Sequence, residues 1–191
     1  VSNIETGETY EAVRLHPELY VGKVEYSTAP LAILEQCLKR SRATAKSIGI
    51  DLYAKGVAGL MSDRIRVIDD GPGWDVTPDK FGMRPAERAL RELTAPDNGG
   101  LCFVNALSSS FEFTTWTKGR AWCQRFAFGK PVTDFMDNGP CGHTHGIQLF
   151  FSLDPKILAH TLPTREAIET LLTEVRAGGV HVDLKVFADH A

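Results

Sequence analysis

From Ser110 onward the apolar residues of this chain change their spacing, and that change limits the fold more than any single motif. Before that point they recur at about every third or fourth position, as helices require; after it they fall at about every second, as half-buried strands require. Phe111-Glu-Phe-Thr-Thr-Trp116, Ala121-Trp-Cys-Gln-Arg-Phe-Ala-Phe128 and Ile147-Gln-Leu-Phe-Phe-Ser-Leu153 read as three successive strands. Lys118-Gly119 supplies a tight hairpin turn between the first two.

Upstream, residues 1–30 read as irregular, with a short helical turn from Glu11 to Leu15 that Pro17 ends. Leu31 to Lys46 reads as a helix with Pro30 at its first turn and Leu31, Leu34 and Leu38 on one stripe. The neighbouring face carries Glu35, Lys39, Arg42 and Lys46. A strand is expected from about Arg64, a helix over 84–95, a break at 96–100 and a short apolar helix over 101–108. Thr164 to Arg176 reads as an amphipathic helix stopped by Gly178-Gly179, and Val180 to Phe187 as a closing strand. Helices, then strands, then a helix and a strand, predict an α+β sandwich with helices on one face of a mixed sheet.

Composition narrows the class. With 191 residues, 43% hydrophobic and 24% charged, the chain suits one domain over residues 1–191 with a sizeable core. Its net charge of -3 gives no field that would draw it to nucleic acid or to an anionic membrane, so direct nucleic-acid binding is not expected. Cysteines at 37, 102, 123 and 141 show no paired spacing, which argues for reduced thiols. No apolar stretch is long enough to span a bilayer and no signal-peptide pattern opens the chain, so a cytoplasmic location is expected.

The strand at Arg64 ends in Val67-Ile-Asp-Asp-Gly-Pro-Gly-Trp74, where Asp69 and Asp70 meet Gly71 and Gly73. Glycine permits close backbone approach, and a carboxylate at such a turn can accept a hydrogen bond from a flat polar group such as an exocyclic amine. Asp-Gly and Pro-Gly are also ordinary pairs of a solvated turn, and the turn alone does not separate the two readings.

The wider order of motifs resembles the N-terminal ATPase subdomain of type II topoisomerase B subunits, the gyrase B and topoisomerase IV B family of the GHKL (Bergerat-fold) superfamily. Tyr10-Glu-Ala-Val-Arg…His-Pro-Glu-Leu-Tyr-Val-Gly22 resembles LEAVRKRPGMYIG, and Val67-Ile-Asp-Asp-Gly-Pro-Gly73 resembles VTDNGRG. Gly82-Met-Arg-Pro-Ala-Glu87 resembles GRPAVE, and Gly99-Gly-Leu-Cys-Phe-Val-Asn-Ala-Leu-Ser108 resembles GGLHGVGxSVVNALS without its centre. Gln124-Arg-Phe…Gly129-Lys-Pro and Gly146…Phe151-Ser-Leu-Asp-Pro155 follow in order.

The resemblance implies a nucleotide site of Asp69, Asp70, Gly71, Gly73, Lys39, Gly99 and Gly100, with Asp69 accepting from the adenine amine and Glu35 at the position of the catalytic glutamate. Against turnover, Lys39 stands where the family's magnesium-binding Asn should be, and an ammonium cannot ligate a metal. Arg42 and Ala43 replace acidic residues, Pro72 replaces the arginine of the glycine turn, and Ile147 replaces a threonine. The glycine-rich phosphate lid has shrunk to Gly99-Gly-Leu-Cys-Phe103, and the numbered chain ends where the transducer domain and its lysine would begin.

The expectation is a degenerate ATP-binding-fold domain that does not hydrolyse ATP and holds an adenine nucleotide, ATP or ADP, without Mg²⁺. The alternative is a non-enzymatic interaction or regulatory module that binds or mimics a topoisomerase B-type subunit, or dimerises. The family's N-terminal arm exchanges between subunits, which favours the alternative. Glu35 and Lys39 also have the spacing of an ordinary helical ion pair. The basic run Lys39, Arg40, Arg42 and Lys46 is either a solvated face or a cationic replacement for the metal. Cys141-Gly-His143-Thr-His145 places zinc-type ligands on one side of an extended segment, although as a set of three it equally fits a plain loop. Trp74, Trp116 and Trp122 read as core or interface anchors.

Overall fold

The computed structural model describes residues 6–24, 28–59, 62–93, 99–159 and 162–187. Two helices open the chain, α1 (Thr6–Leu15) and α2 (Glu18–Val21), divided at Pro17. The long helix α3 (Thr28–Thr44) leads into an antiparallel pair, β1 (Ser47–Tyr53) and β2 (Arg64–Asp69). Helices α4 (Pro85–Arg91) and α5 (Gly99–Ala106) precede the strands β3 (Ser108–Thr117), β4 (Arg120–Ala127), β5 (Lys130–Pro131), β6 (Met136–Pro140) and β7 (His145–Leu153). Helix α6 (Arg165–Ala177) and strand β8 (His181–Phe187) complete the described fold.

These strands form one eight-stranded sheet in the order β5-β4-β3-β7-β2-β1-β8, with β6 paired to β4. It is mixed, because β8 runs parallel to β1 while the other pairings are antiparallel. Alternation decides which face is covered. Ile48, Ile50, Ile65, Val67, Phe113, Leu149 and Phe151 are fully buried and join Ile33, Leu34 and Leu38 of α3, Leu90 of α4, Val104 of α5 and Ile168 and Leu172 of α6 in one core. On the other face, polar partners meet across strands: Arg66 donates to Asp51 at 2.9 Å and to Gln148 at 3.0 Å. The helices therefore lie on one face, and the α+β sandwich expected from the apolar spacing is the observed architecture.

Several elements differ from the sequence reading. The irregular N-terminal stretch is two helices, with α1 starting at Thr6 rather than near Glu11. Strand β1 is absent from the sequence reading although Ile48, Ile50 and Leu52 alternate with Gly49 and Asp51 at the strand period. Gly49 belongs there since a Cβ would come within 2.9 Å of Ile68 Cγ2 on β2. Strands β5 and β6 are absent from that reading too: one has two residues, the other is Met-Asp-Asn-Gly-Pro. Helix α4 stops at Arg91, and α5 begins at Gly99 rather than Leu101. Residues 96–98 of the expected break lie outside the described residues. The Lys118-Gly119 hairpin is present, with φ of 53° and 71°, the paired positive angles of a tight turn that follows strand twist.

A buried ion pair ties the N-terminal helices to the sheet. The Arg14 guanidinium donates to Asp154 Oδ2 at 2.6 Å and to the Ala106 carbonyl at 2.8 Å, and lies 5.1 Å over the Phe128 ring. Asp154 is only 1% exposed, so removing its partner strands a charge. Arg14→Ala is expected to cost about 3–5 kcal/mol of unfolding free energy, measured by urea denaturation; a loss within experimental error would show that the pair does not anchor α1.

Candidate functional site

Asp69 is the last residue of β2, on the strand's core side, yet it is polar and 8% exposed. A carboxylate so placed needs donors, and three elements supply them. The Ser41 hydroxyl of α3 donates to Oδ2. The Gly71 amide donates to Oδ1 at 2.9 Å and the Ile147 amide of β7 to the same oxygen at 3.3 Å. An ionised carboxylate has about four acceptor positions. Two of these donors go to Oδ1 and one to Oδ2, so by count one acceptor position of Oδ2 is unused among the described residues.

The glycines around it answer to backbone crowding. Gly73 has φ of 74°, and a Cβ there would overlap the Trp116 carbonyl oxygen. Gly146 has φ of 121°, and a Cβ would overlap the carbonyl oxygen of Asp69. The turn is held further by Trp74, whose amide donates to Thr115 Oγ1 at 2.8 Å, and by His145 Nδ1, 3.1 Å from the Gly71 carbonyl oxygen. Sequence reasoning places Gly73 at this turn but misses Gly146, Ser41 and Thr115. Ser41 continues the buried stripe of Leu34, Cys37 and Leu38 at helical spacing, the signal that could have placed it inward.

The other predicted residues divide. The Asp70 carboxylate caps the α3–β1 connection, accepting from the Lys46 amide at 2.8 Å and the Ser47 amide at 2.9 Å. Gly99 and Gly100 open α5, and Gly100 lies against Gln36 of α3, whose Oε1 would be 2.8 Å from a Cβ. Gln36 and Ser41 are five residues apart on α3, a rise of about 7.5 Å, so the helix carries the glycine turn at one level and the start of α5 at another. Glu35 is half-buried and Lys39 exposed, both between or beside those two levels. The expected Glu35–Lys39 ion pair is not formed, and neither side chain makes a hydrogen bond or ion pair with another described residue. The basic face is also not uniform. Lys39, Arg42 and Lys46 are exposed, whereas Arg40 turns inward, donating to the Gly73 carbonyl at 2.6 Å with its guanidinium 4.8 Å over the Trp74 ring.

Cys141, His143 and His145 do not converge. Cys141 Sγ contacts the His143 carbonyl oxygen at 3.2 Å, the His143 ring stacks on Trp116 at 4.3 Å, and His145 faces Gly71. Among the described residues no group of three such side chains is arranged to hold a metal ion. Trp74 and Trp116 are buried, and Trp122 packs against the core beside Phe135, as anchors should.

No protein-family model matches the chain. Individual proteins do. It is 28% identical over 193 residues to the B subunit of DNA gyrase from Synechocystis sp., covering 85% of this chain and 17% of that protein. The B subunit of DNA gyrase from Enterococcus faecalis is 28% identical over 208 residues, covering 96% of this chain and 31% of that protein. The B subunit of DNA topoisomerase 4 from Rickettsia felis is 23% identical over 182 residues, covering 84% and 26%. The chain thus spans less than a third of the length of these relatives. No helix among the described residues is long and apolar enough to cross a membrane.

The crowding at the two glycines and the burial of the thiols are both open to measurement. Gly73→Ala and Gly146→Ala are each expected to lose at least about 2 kcal/mol, from a strained backbone angle and from overlap with a carbonyl; thermal denaturation measures it, and wild-type stability in either variant would contradict the crowding. Burial raises the Cys102 thiol to about 12 and Cys37 further still, so neither supplies thiolate near neutral pH. At pH 7.5 iodoacetamide is expected to label Cys141 in the native protein and Cys37 and Cys102 only after unfolding, read by peptide mass spectrometry; native labelling of Cys37 would contradict this. At 23–28% identity over most of its length, the chain is a distant relative of the B subunits of DNA gyrase and DNA topoisomerase 4.

Proposed function

We propose that this chain is an ATP-binding-fold domain that recognises adenine through Asp69 and does not turn ATP over. The observation that carries the reading is the buried carboxylate itself: three donors fix it, and one acceptor position of Oδ2 is left. An exocyclic amine fits such an acceptor. The first-turn amides of α5, opened by Gly99 and Gly100, offer donors to an anion at the other level of α3. Lys39 stands exposed between the two levels and Arg42 just past Ser41, so phosphate charge is met by cations rather than by Mg²⁺.

Turnover needs more. Phosphoryl transfer depends on neutralising and positioning the phosphates, with the metal ion central. Lys39 has no acceptor for a metal. Glu35 has the place of a general base but no partner among the described residues that would orient it.

A second reading, an interaction or regulatory module for a topoisomerase B-type subunit or for a second copy, draws on the surface. Leu15 and Leu19 on the first two helices are 73% and 74% exposed, and Phe128, under Arg14, is 46% exposed. Exposed apolar area of this kind is what a partner would cover.

Two assays test the primary reading. With ADP in EDTA at about a hundred times its dissociation constant, the melting temperature is expected to rise by about 5–10 °C, and Asp69→Asn is expected to abolish the rise. No shift with any adenine nucleotide would leave the interaction reading. Phosphate release from Mg²⁺-ATP is expected to match that of Glu35→Ala; metal-dependent turnover lost in that variant would overturn the claim of an inactive site.

A further inference from the structure

Arg40 is the residue of the site that neither the fold nor the adenine reading accounts for. It follows Lys39 on α3 and immediately precedes Ser41, whose hydroxyl holds Asp69. From there its guanidinium crosses to the glycine turn, donating to the Gly73 carbonyl at 2.6 Å and lying 4.8 Å from the centroid of the Trp74 ring. The side chain therefore joins α3 to the turn directly beside the carboxylate. A flat ring stacked on Trp74 needs about the same space that the guanidinium fills.

Beneath it lies an unspent donor. Trp74 is 4% exposed, and its indole Nε1 has no hydrogen-bond partner among the described residues. Buried polar groups are normally paired, and one left alone beside a candidate site asks for a reason. The Trp74 amide and the Gly73 carbonyl are both engaged, by Thr115 and Arg40, so the indole N–H is the turn's uncommitted donor on that residue.

We infer that Arg40 is a latch: it occupies the stacking place over Trp74 in the ligand-free protein and must swing out before an adenine ring can reach Asp69. The inference rests on the adenine reading above and adds a gate to it. The ligand class follows from what the displaced guanidinium leaves behind: an aromatic face, an acceptor position on Asp69 and a buried N–H. A planar heterocycle carrying an exocyclic amine and a ring or sugar acceptor satisfies all three. Swung outward, Arg40 would join Lys39 and Arg42 on the exposed side of α3, where a fork of donors suits phosphate oxygens.

Because the closed state is populated at the expense of the open one, apparent affinity falls by the open fraction. Removing the latch raises it. Calorimetry with adenosine in EDTA, on wild type, Arg40→Ala, Arg40→Met and the double variant Arg40→Ala with Asp69→Asn, reads this directly. Both single variants are expected to bind adenosine about tenfold tighter than wild type, although each melts at a lower temperature without ligand, and the double variant is expected not to bind. A merely structural Arg40 would lower stability and affinity together. Unchanged or weaker binding in both single variants overturns the latch; if Asp69→Asn still abolishes wild-type binding, adenine recognition stands without it. Absence of adenosine binding in wild type and in both single variants removes adenine recognition and the latch together.

Discussion

A carboxylate taken out of water must be met by donors or it unfolds what holds it. Asp69 is met by α3, by its own glycine turn and by β7, and each of those elements is where it is partly to satisfy that one group. The Ser41 hydroxyl fixes the rotation of α3 against the sheet. The Ile147 amide fixes where β7 runs past the end of β2, and it can approach because Gly146 adds no Cβ against the Asp69 carbonyl. The apolar cluster of the core would tolerate repacking of similar volume. This corner would not, because its geometry is set by directed bonds.

The same corner explains why the site is unequal at its two ends. At the glycine turn the chain keeps a complete set of donors around an acceptor, with tight backbone contacts that fix it. Along α3 toward α5 stand Lys39, exposed, and Glu35, half-buried, and no group of described residues there is arranged to hold a metal ion. Recognition of a base and handling of phosphates are separable pieces of chemistry. The first needs one fixed acceptor and a flat wall; the second needs a metal, a wrapped lid and an oriented water. Among the described residues Asp69 is a fixed acceptor, and no group of side chains is arranged to hold a metal ion.

Much of this is legible in the sequence. The alternation after Ser110 marks β3, β4 and β7, although β1 and β2 precede it and α6 follows it, and Thr164 caps α6, accepting from the Ala167 amide. The glycine turn is visible as a turn, and the order of motifs around it points to a nucleotide corner. What cannot be read are contacts made by isolated residues of ordinary appearance. Ser41 continues the stripe of Leu34 and Leu38, so its inward side, with Arg42 in water, is readable, but its bond to Asp69, 28 residues away, is not. Arg40 belongs to the basic run with Arg42 and turns the other way. Strand β1 is readable from the alternation of Ile48, Ile50 and Leu52, whereas the reason for Gly49, the close approach of Ile68 on the neighbouring strand, is not. Asp70 enters the nucleotide site only through the resemblance; in the fold its Oδ1 accepts from the Lys46 and Ser47 amides at the α3–β1 connection.

The claim on which the account turns is that an adenine ring docks at the Asp69 carboxylate. Titrating ¹⁵N-labelled protein with ADP in EDTA tests it at the atoms concerned. The amides of Gly71 and Ile147, which donate to Asp69 Oδ1, and the indole N–H of Trp74 are predicted to show the largest shift changes, saturating together. Changes confined to other parts of the molecule, or none with ADP present in millimolar excess, would contradict it.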